Sequence, residues 1–295
     1  MRATLFVAGL LTAVASVRAS SQVTARDTSH ASTPAVTHIL KTIQGSTFLG
    51  RLLQDAPGTD SVRFETSGAV IVVARSAILS LATVASSDMH DGEYWFPDPH
   101  ATRLFFAPTG RTLKRGEGYY SNTYLLFNGV NVGATDRVSI GGNISLIPSS
   151  TAQFAYVTPK IGVYASDNLN VGVGALVGYN GFADNDSDRQ FGVLYSVATF
   201  GSEAASTTAG IGWGYLGSKL STAPALMLGG AARVSKRTAL VTENYYLSGL
   251  SDAGVLMSYG VRFFGEKLSV DLAFLNSTTE AVFPGIPFVS FAVKF

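Results

Sequence analysis

The segment that decides the fold is Phe288-Val289-Ser290-Phe291-Ala292-Val293-Lys294-Phe295. Side chains alternate across a β-strand. Val289, Phe291, Val293 and Phe295 therefore share a wholly apolar face, while Phe288, Ser290, Ala292 and Lys294 share a mixed face that ends in a cation. In a soluble protein an exposed strand of this kind invites edge pairing and aggregation. In a closed barrel that spans a membrane, the apolar face meets lipid and no edge is left free.

The same alternation recurs upstream. Val171, Val173, Ala175, Val177 and Tyr179 oppose Gly172, Gly174 and Gly178; Ile211, Trp213 and Tyr215 oppose Gly210, Gly212 and Gly214. Val255, Met257, Tyr259, Val261 and Phe263 oppose Ser258, Gly260 and Arg262, and Leu268, Val270, Leu272 and Phe274 oppose Ser269, Asp271 and Ala273. Strands are expected at residues 103–107, 119–132, 138–147, 154–164, 171–179, 191–200, 207–215, 226–234, 239–247, 255–264, 268–275 and 288–295. That makes an antiparallel transmembrane β-barrel of about 12 strands, with about 10 as the alternative if the short first segment drops out. The connections alternate too: 133–137, 166–168, 201–205, 235–237 and 265–267 are short, whereas 109–118, 148–153, 180–190, 217–224, 248–254 and 276–287 are longer. Short periplasmic turns and longer extracellular loops are the rule for outer-membrane barrels. An even strand count then leaves both chain ends in the periplasm. Phe291, Val293 and the terminal Phe295 resemble the signal read by the outer-membrane barrel-assembly machinery.

Composition agrees. Charged residues are 14% of the 295, against about 25% in soluble domains. The formal net charge of +1 gives no bulk basic surface for nucleic acid. There is no Cys, which excludes disulfides and thiolate metal sites. Met1-Arg2, the apolar run 3–17 and the small residues at 19–20 form a secretory signal peptide (1–19), cleaved after Ala19. Residues 20–36 form a flexible Ser/Thr/Ala leader. Residues 69–85 carry Arg75 and β-branched Val70, Ile71, Val72 and Val73, which disfavours a membrane helix.

Residues 37–85 are expected to form a small periplasmic β domain: strands at 39–43, 48–53, 62–66, 69–74 and 75–81, with turns at 55–58 and Ser67-Gly68. This order resembles SH3-like or Sm-like barrels. Residues 86–100 make a linker whose Tyr94, Trp95 and Phe96 are expected at the membrane interface, where Trp213 and Tyr215 are also placed. Residues 101–295 make the barrel.

The stretch Tyr94-Trp-Phe-Pro-Asp-Pro-His-Ala-Thr-Arg-Leu-Phe-Phe-Ala-Pro-Thr-Gly110, with Leu113-Lys-Arg-Gly-Glu-Gly-Tyr-Tyr120 and Phe127-Asn-Gly129, resembles a family of uncharacterised bacterial outer-membrane β-barrel proteins. Its members carry a small N-terminal SH3/Sm-like β module. The resemblance runs from about residue 40 to the C-terminus and implies this architecture; it brings no activity and no functional residues.

Chemistry is sparse. Barrel enzymes generally use a His base, and the four His are His30, His38, His90 and His100. With none after residue 100, no Ser-His or Asp-His site is expected on the barrel rim and no enzyme is expected, while carboxylate-only chemistry stays open. Asp184, Asp186 and Asp188 cluster in one loop, but no bidentate Glu follows at Ca²⁺-loop spacing; a solvated acidic loop is expected, with no metal and no cofactor. The Gly-x-Gly-x-Gly run at 210–214 precedes no helix, and strand parity explains it. Inward positions are mostly small, with Lys160, Arg233, Arg262 and Lys294 against Asp271. This cationic lumen would favour anions. The expected function is a passive channel or small-solute pathway in the outer membrane. The alternative is a non-conducting barrel whose periplasmic domain binds a partner or the cell wall. The expected partners are outer-membrane lipid, the assembly machinery and a periplasmic partner.

Overall fold

The computed structural model describes residues 37–53, 60–84, 88–148, 152–248 and 254–295. The expected signal peptide and leader, and the turn at 55–58, lie outside the described residues. The chain divides into two compact units, Met1–Val84 and Ala85–Phe295.

The first unit is a five-stranded antiparallel sheet. Its strands are β1 (His38–Thr42), β2 (Thr47–Leu52), β3 (Ser61–Thr66), β4 (Ala69–Ala74) and β5 (Ile78–Thr83), with a 3-10 turn at Arg75–Ala77. The order is β4-β3-β2-β1-β5, so a four-strand meander is completed by the last strand pairing with the first. Period-2 alternation buries Leu40, Val62 and Phe64, against which Phe48, Leu52, Ile71, Val73 and Ile78 pack.

The second unit opens with a two-strand hairpin, β6 (Met89–His90) and β7 (Glu93–Tyr94). The wall follows: β8 (Gly118–Thr123), β9 (Phe127–Gly133), β10 (Val138–Ser145), β11 (Phe154–Ala165), β12 (Leu169–Asn180), β13 (Gln190–Gly201) and β14 (Ala205–Leu216). After the small β15 (Lys219–Leu220) come β16 (Ala225–Ser235), β17 (Thr238–Leu247), β18 (Val255–Phe264), β19 (Leu268–Ser277) and β20 (Ile286–Lys294). Each wall strand pairs antiparallel with its neighbours, and β20 returns to β8. Leaving out β15, which only extends the β14 hairpin, this is a closed 12-strand barrel.

The count matches the expectation through two compensating differences. Residues 103–107 are not a wall strand, and residues 119–132 are two strands joined by a tight turn. That turn runs through Tyr124 and Leu125 at φ 54° and 62°. With the Leu126 N–H donating to the Thr123 carbonyl (3.1 Å), these two positive φ values make a tight turn of the kind that usually recruits Asn-Gly. Here the strain is held by packing and hydrogen bonds. The Leu125 N–H donates to Asn122 Oδ1 (2.9 Å), the Tyr124 hydroxyl donates to the Pro287 carbonyl (2.8 Å), and the Tyr124 ring packs edge-on against Phe288.

Among the described residues, the twelve wall strands carry six Lys, Arg, Asp or Glu side chains: Lys160, Arg233, Glu243, Arg262, Asp271 and Lys294. All six occupy inward positions. Outward positions are uncharged and mostly apolar, with exposed side chains at Val130, Ile140, Val157, Val177, Leu194, Leu228, Leu272 and Val289. A charge turned outward at the middle of a bilayer costs about 2–4 kcal/mol, so this segregation suits a lipid surround. Exposed aromatics mark both rims. Tyr164, Phe200, Phe263 and Phe295 stand toward the short turns, and Tyr179, Trp213, Tyr246 and Tyr259 toward the long loops.

Candidate functional site

The site is the barrel lumen, part of which is filled by the chain's own residues 96–113. This segment enters and leaves at the short-turn end. Between those points it forms a small hairpin: the Thr109 N–H donates to the Thr102 carbonyl and the Leu104 N–H to the Ala107 carbonyl, each at 2.9 Å. Its apolar tip, Leu104 and Phe105, is buried against Val241, Ala273 and Phe288 of the wall. The sequence Leu104-Phe-Phe-Ala107 looks like strand, but its backbone groups are satisfied mostly by wall side chains.

The wall supplies a separate partner for each polarity of that backbone. The Glu243 carboxylate accepts the N–H groups of Phe105 (2.9 Å), Phe106 (3.0 Å) and Ala107 (3.0 Å), and its other oxygen accepts the Tyr245 hydroxyl (2.7 Å). The Arg262 guanidinium donates to the carbonyls of His100 (3.3 Å), Arg103 (3.3 Å) and Leu104 (2.7 Å). It also forms a two-point pair with Asp271, at 2.6 and 3.2 Å, and lies 3.5 Å from Asp98. Lys160 Nζ donates to the carbonyls of Thr102 (3.2 Å), Thr109 (3.1 Å) and Arg111 (2.5 Å). The Gly110 N–H donates to Thr199 Oγ1 (2.8 Å) and the Leu113 N–H to Ser139 Oγ (2.9 Å). At Gly110 a side chain is excluded, because a Cβ would lie 2.0 Å from the Asn170 carbonyl oxygen. Buried charges persist when paired or saturated with hydrogen bonds; here the partner is the inserted backbone.

Lys160, Arg262 and Asp271 thus meet around one hairpin. Arg233 lies at the short-turn end, where it donates to the carbonyls of Phe96 (2.7 Å) and Lys236 (2.6 Å). Its guanidinium also covers the rings of Phe264 (4.5 Å), Trp95 (5.2 Å) and Phe96 (5.6 Å). Lys294 stands apart, paired with Glu117 at 2.9 Å. Glu243 was absent from the lumen residues expected from sequence, although the parity of β17 gives it away: Leu240, Thr242, Asn244 and Tyr246 face out, so Glu243 faces in.

The placement of Tyr94, Trp95 and Phe96 at the lipid interface is corrected. Phe96 is buried with Ala239 and Phe264, both inward residues, and Tyr94 packs on that cluster. Trp95 stacks on His90 at 4.2 Å. Arg233 holds these rings, and a guanidinium among aromatic faces is favourable where water is scarce. Trp213 and Tyr215 do occupy outward positions, as do Phe291, Val293 and Phe295 of the last strand. The inserted segment carries His100 into the lumen. His100 Nδ1 lies 3.2 Å from Ser269 Oγ, with each residue 1% exposed. Burial, together with the Arg103 and Arg262 guanidiniums, holds the imidazole well below the usual His range. In the acidic loop, Asp186 pairs with Arg189 at 3.2 Å. Among the described residues no group of His, Asp and Glu is arranged to hold a metal.

Above the hairpin a cavity of about 730 Å³ extends to the long-loop rim. Thr102, Arg103, Phe106, Ala107 and Pro108 form its floor, and Tyr156, Tyr195, Leu176, Met227 and Phe154 stand in its wall. The small inward residues leave room, as expected. Hairpin and cavity share that room.

No family model and no curated protein sequence matches the chain. Among solved structures, the NanC porin is similar at TM-score 0.38 and 8% identity, over 60% of this chain and 97% of that one. OmpF of Salmonella typhi, in complex with daunomycin, is similar at TM-score 0.33 and 12% identity, over 88% of this chain and 96% of that one. The closed barrel is read from its own strand pairing, independently of these two likenesses.

Proposed function

We propose that the chain is an outer-membrane solute pathway closed at rest by its own luminal hairpin. The observation that carries this reading is the manner of attachment. Residues 102–109 touch the wall through side-chain hydrogen bonds and apolar contacts, with no ladder pairing to any wall strand. A segment held in this way can leave without breaking the barrel, and lumen water would then solvate Glu243, Arg262 and Lys160.

The same reading assigns the surroundings. The apolar, charge-free outside and the two aromatic rims suit the outer membrane. An even strand count puts both ends of the barrel on the short-turn side, which is the periplasm, together with the N-terminal β unit. A cleaved signal peptide takes the chain across the inner membrane. The apolar outward face of the last strand, Phe291, Val293 and Phe295, serves recognition by the assembly machinery. The N-terminal sheet, with its 3-10 turn before the last strand, is read as SH3-like and as a site for a periplasmic partner.

The test is planar-bilayer recording of the full chain, after envelope fractionation and a heat-modifiability gel. Outer-membrane recovery with a mobility shift on boiling is expected, together with a mostly closed trace that opens when the hairpin's anchors are removed. A barrel that stays silent after anchor removal would reject the pathway and leave a docking barrel. A permanently open wild type would reject the gate.

A further inference from the structure

We propose that the cavity above the luminal hairpin is a binding site for an organic monoanion: an apolar, ring-sized body bearing one carboxylate that pairs with Arg103. This deepens the pathway reading and rests on it, since the closed hairpin is the floor of the site.

Charge balance in the lumen points to Arg103. Asp271 and Asp98 are engaged by Arg262. Glu243 is spent on three backbone amides and a tyrosine hydroxyl. Lys160 has its three donors on three carbonyls. Arg103 has one weak contact, from Nη2 to Ser290 Oγ at 3.4 Å, while its Nε is buried with no hydrogen-bond partner. No carboxylate lies within ion-pair distance of it among the described residues. On the cavity floor the guanidinium keeps an Nη edge with only that weak contact, and this edge matches a planar carboxylate in two-point geometry.

The cavity supplies the rest of the selectivity. Among the described residues, Arg103 and Lys160 are the charged members of its lining, and neither Asp nor Glu contributes. The body of a ligand meets Phe106, Tyr156, Tyr195, Phe154, Leu176 and Met227. A volume of about 730 Å³ falls in the roughly 300–1,000 Å³ range of small-molecule sites. One available cation favours a monoanion, because a dianion would carry its second charge into an apolar wall.

The experiment is calorimetric titration of the full chain in nanodiscs with 2-naphthoate and with its neutral counterpart 2-naphthylmethanol. The acid is expected to bind about tenfold tighter than the alcohol or better, as a charge-assisted bond implies. Arg103→Gln should erase that preference and leave alcohol binding intact, Arg103→Lys should keep part of it, and Tyr195→Ala should weaken both ligands. Equal wild-type affinity for acid and alcohol, no binding of either, or an unchanged preference in a folded Arg103→Gln protein would overturn the proposal. These outcomes are separate from conductance: a silent barrel that binds naphthoate would sink the pathway and keep the site.

Discussion

Replacing Glu243 should unfasten the luminal hairpin while leaving the wall intact. In Glu243→Ala the N–H groups of Phe105, Phe106 and Ala107 lose their acceptor, and the bonds that break are 2.9–3.0 Å long. A buried donor left unpaired costs about 1–3 kcal/mol. Water reaching the floor from the cavity will satisfy part of the loss, so the low end applies and the docked state should weaken by about 3 kcal/mol. That shifts the docked-to-released ratio by about 100-fold. Glu243→Gln keeps one oxygen for the amides and can turn its NH2 toward the Tyr245 hydroxyl. It loses the charge assistance, which roughly doubles such bonds, so its shift should be about tenfold. The cost falls on docking because the β16–β17 and β17–β18 ladders use backbone groups. Open probability in bilayers is the first readout. Maleimide labelling of Ala107→Cys is the second, clean because the chain has no Cys and because Ala107 is 5% exposed when docked. Openings and labelling should rise from wild type through Gln to Ala. Wild-type gating and labelling in a heat-modifiable Glu243→Ala barrel would refute the reasoning.

Further outcomes follow from the same contacts. His100 is held neutral when docked, so a released segment binds a proton that the docked one does not. Below the unperturbed value of about 6.5, docking should therefore weaken by about 1.4 kcal/mol per pH unit until the depressed docked value is reached. Openings should multiply between about pH 6.5 and pH 5, and a His100→Gln protein that shows the same rise would exclude this residue as the cause. Leu194→Arg, outward on β13 and 52% exposed, should cost about 2–4 kcal/mol of folding stability in liposomes; a change near zero would place this face away from the acyl core. Gly110→Ala sets a Cβ against the Asn170 carbonyl, so it should raise openings with little effect on the boiling shift, and a silent, well-docked variant would contradict that geometry. Ser258→Arg, which an empty lumen would tolerate, should instead disrupt docking, because Ser258 is 5% exposed and lies across from Glu243.

Much of the wall was legible because one rule governs it: an inward residue every second position, small or polar, with lipid-compatible residues between. Arg262 and Asp271, both inward by that rule, turn out to be cross-strand partners. The rule fails where its punctuation is missing. Tyr124 and Leu125 reverse the chain without Gly, Asn or Pro, so residues 119–132 read as one long strand. It also fails where the partner of a segment is distant in sequence. Leu104-Phe-Phe-Ala107 has strand-like composition, but its amides are answered by a carboxylate 136–138 residues away. Nothing local announces that. The six wall charges carry a weaker signal: six ionisable groups in a lumen expected to be small and polar call for a filling that satisfies them.

The closing seam gives the inserted segment a mechanical role. β20 meets β8 over five residue pairs, against eleven between β12 and β13. The segment straps that short seam from inside. His100 lies edge-on to Tyr119 of β8 and reaches Ser269 of β19, Arg103 touches Ser290 of β20, and Leu113 packs with both Tyr119 and Ala292. Wholesale withdrawal would therefore take reinforcement from the narrowest join in the hoop. A release that spares the hoop folds away only the tip, residues 104–108, whereas one that also frees His100, as acid favours, loosens the join as well.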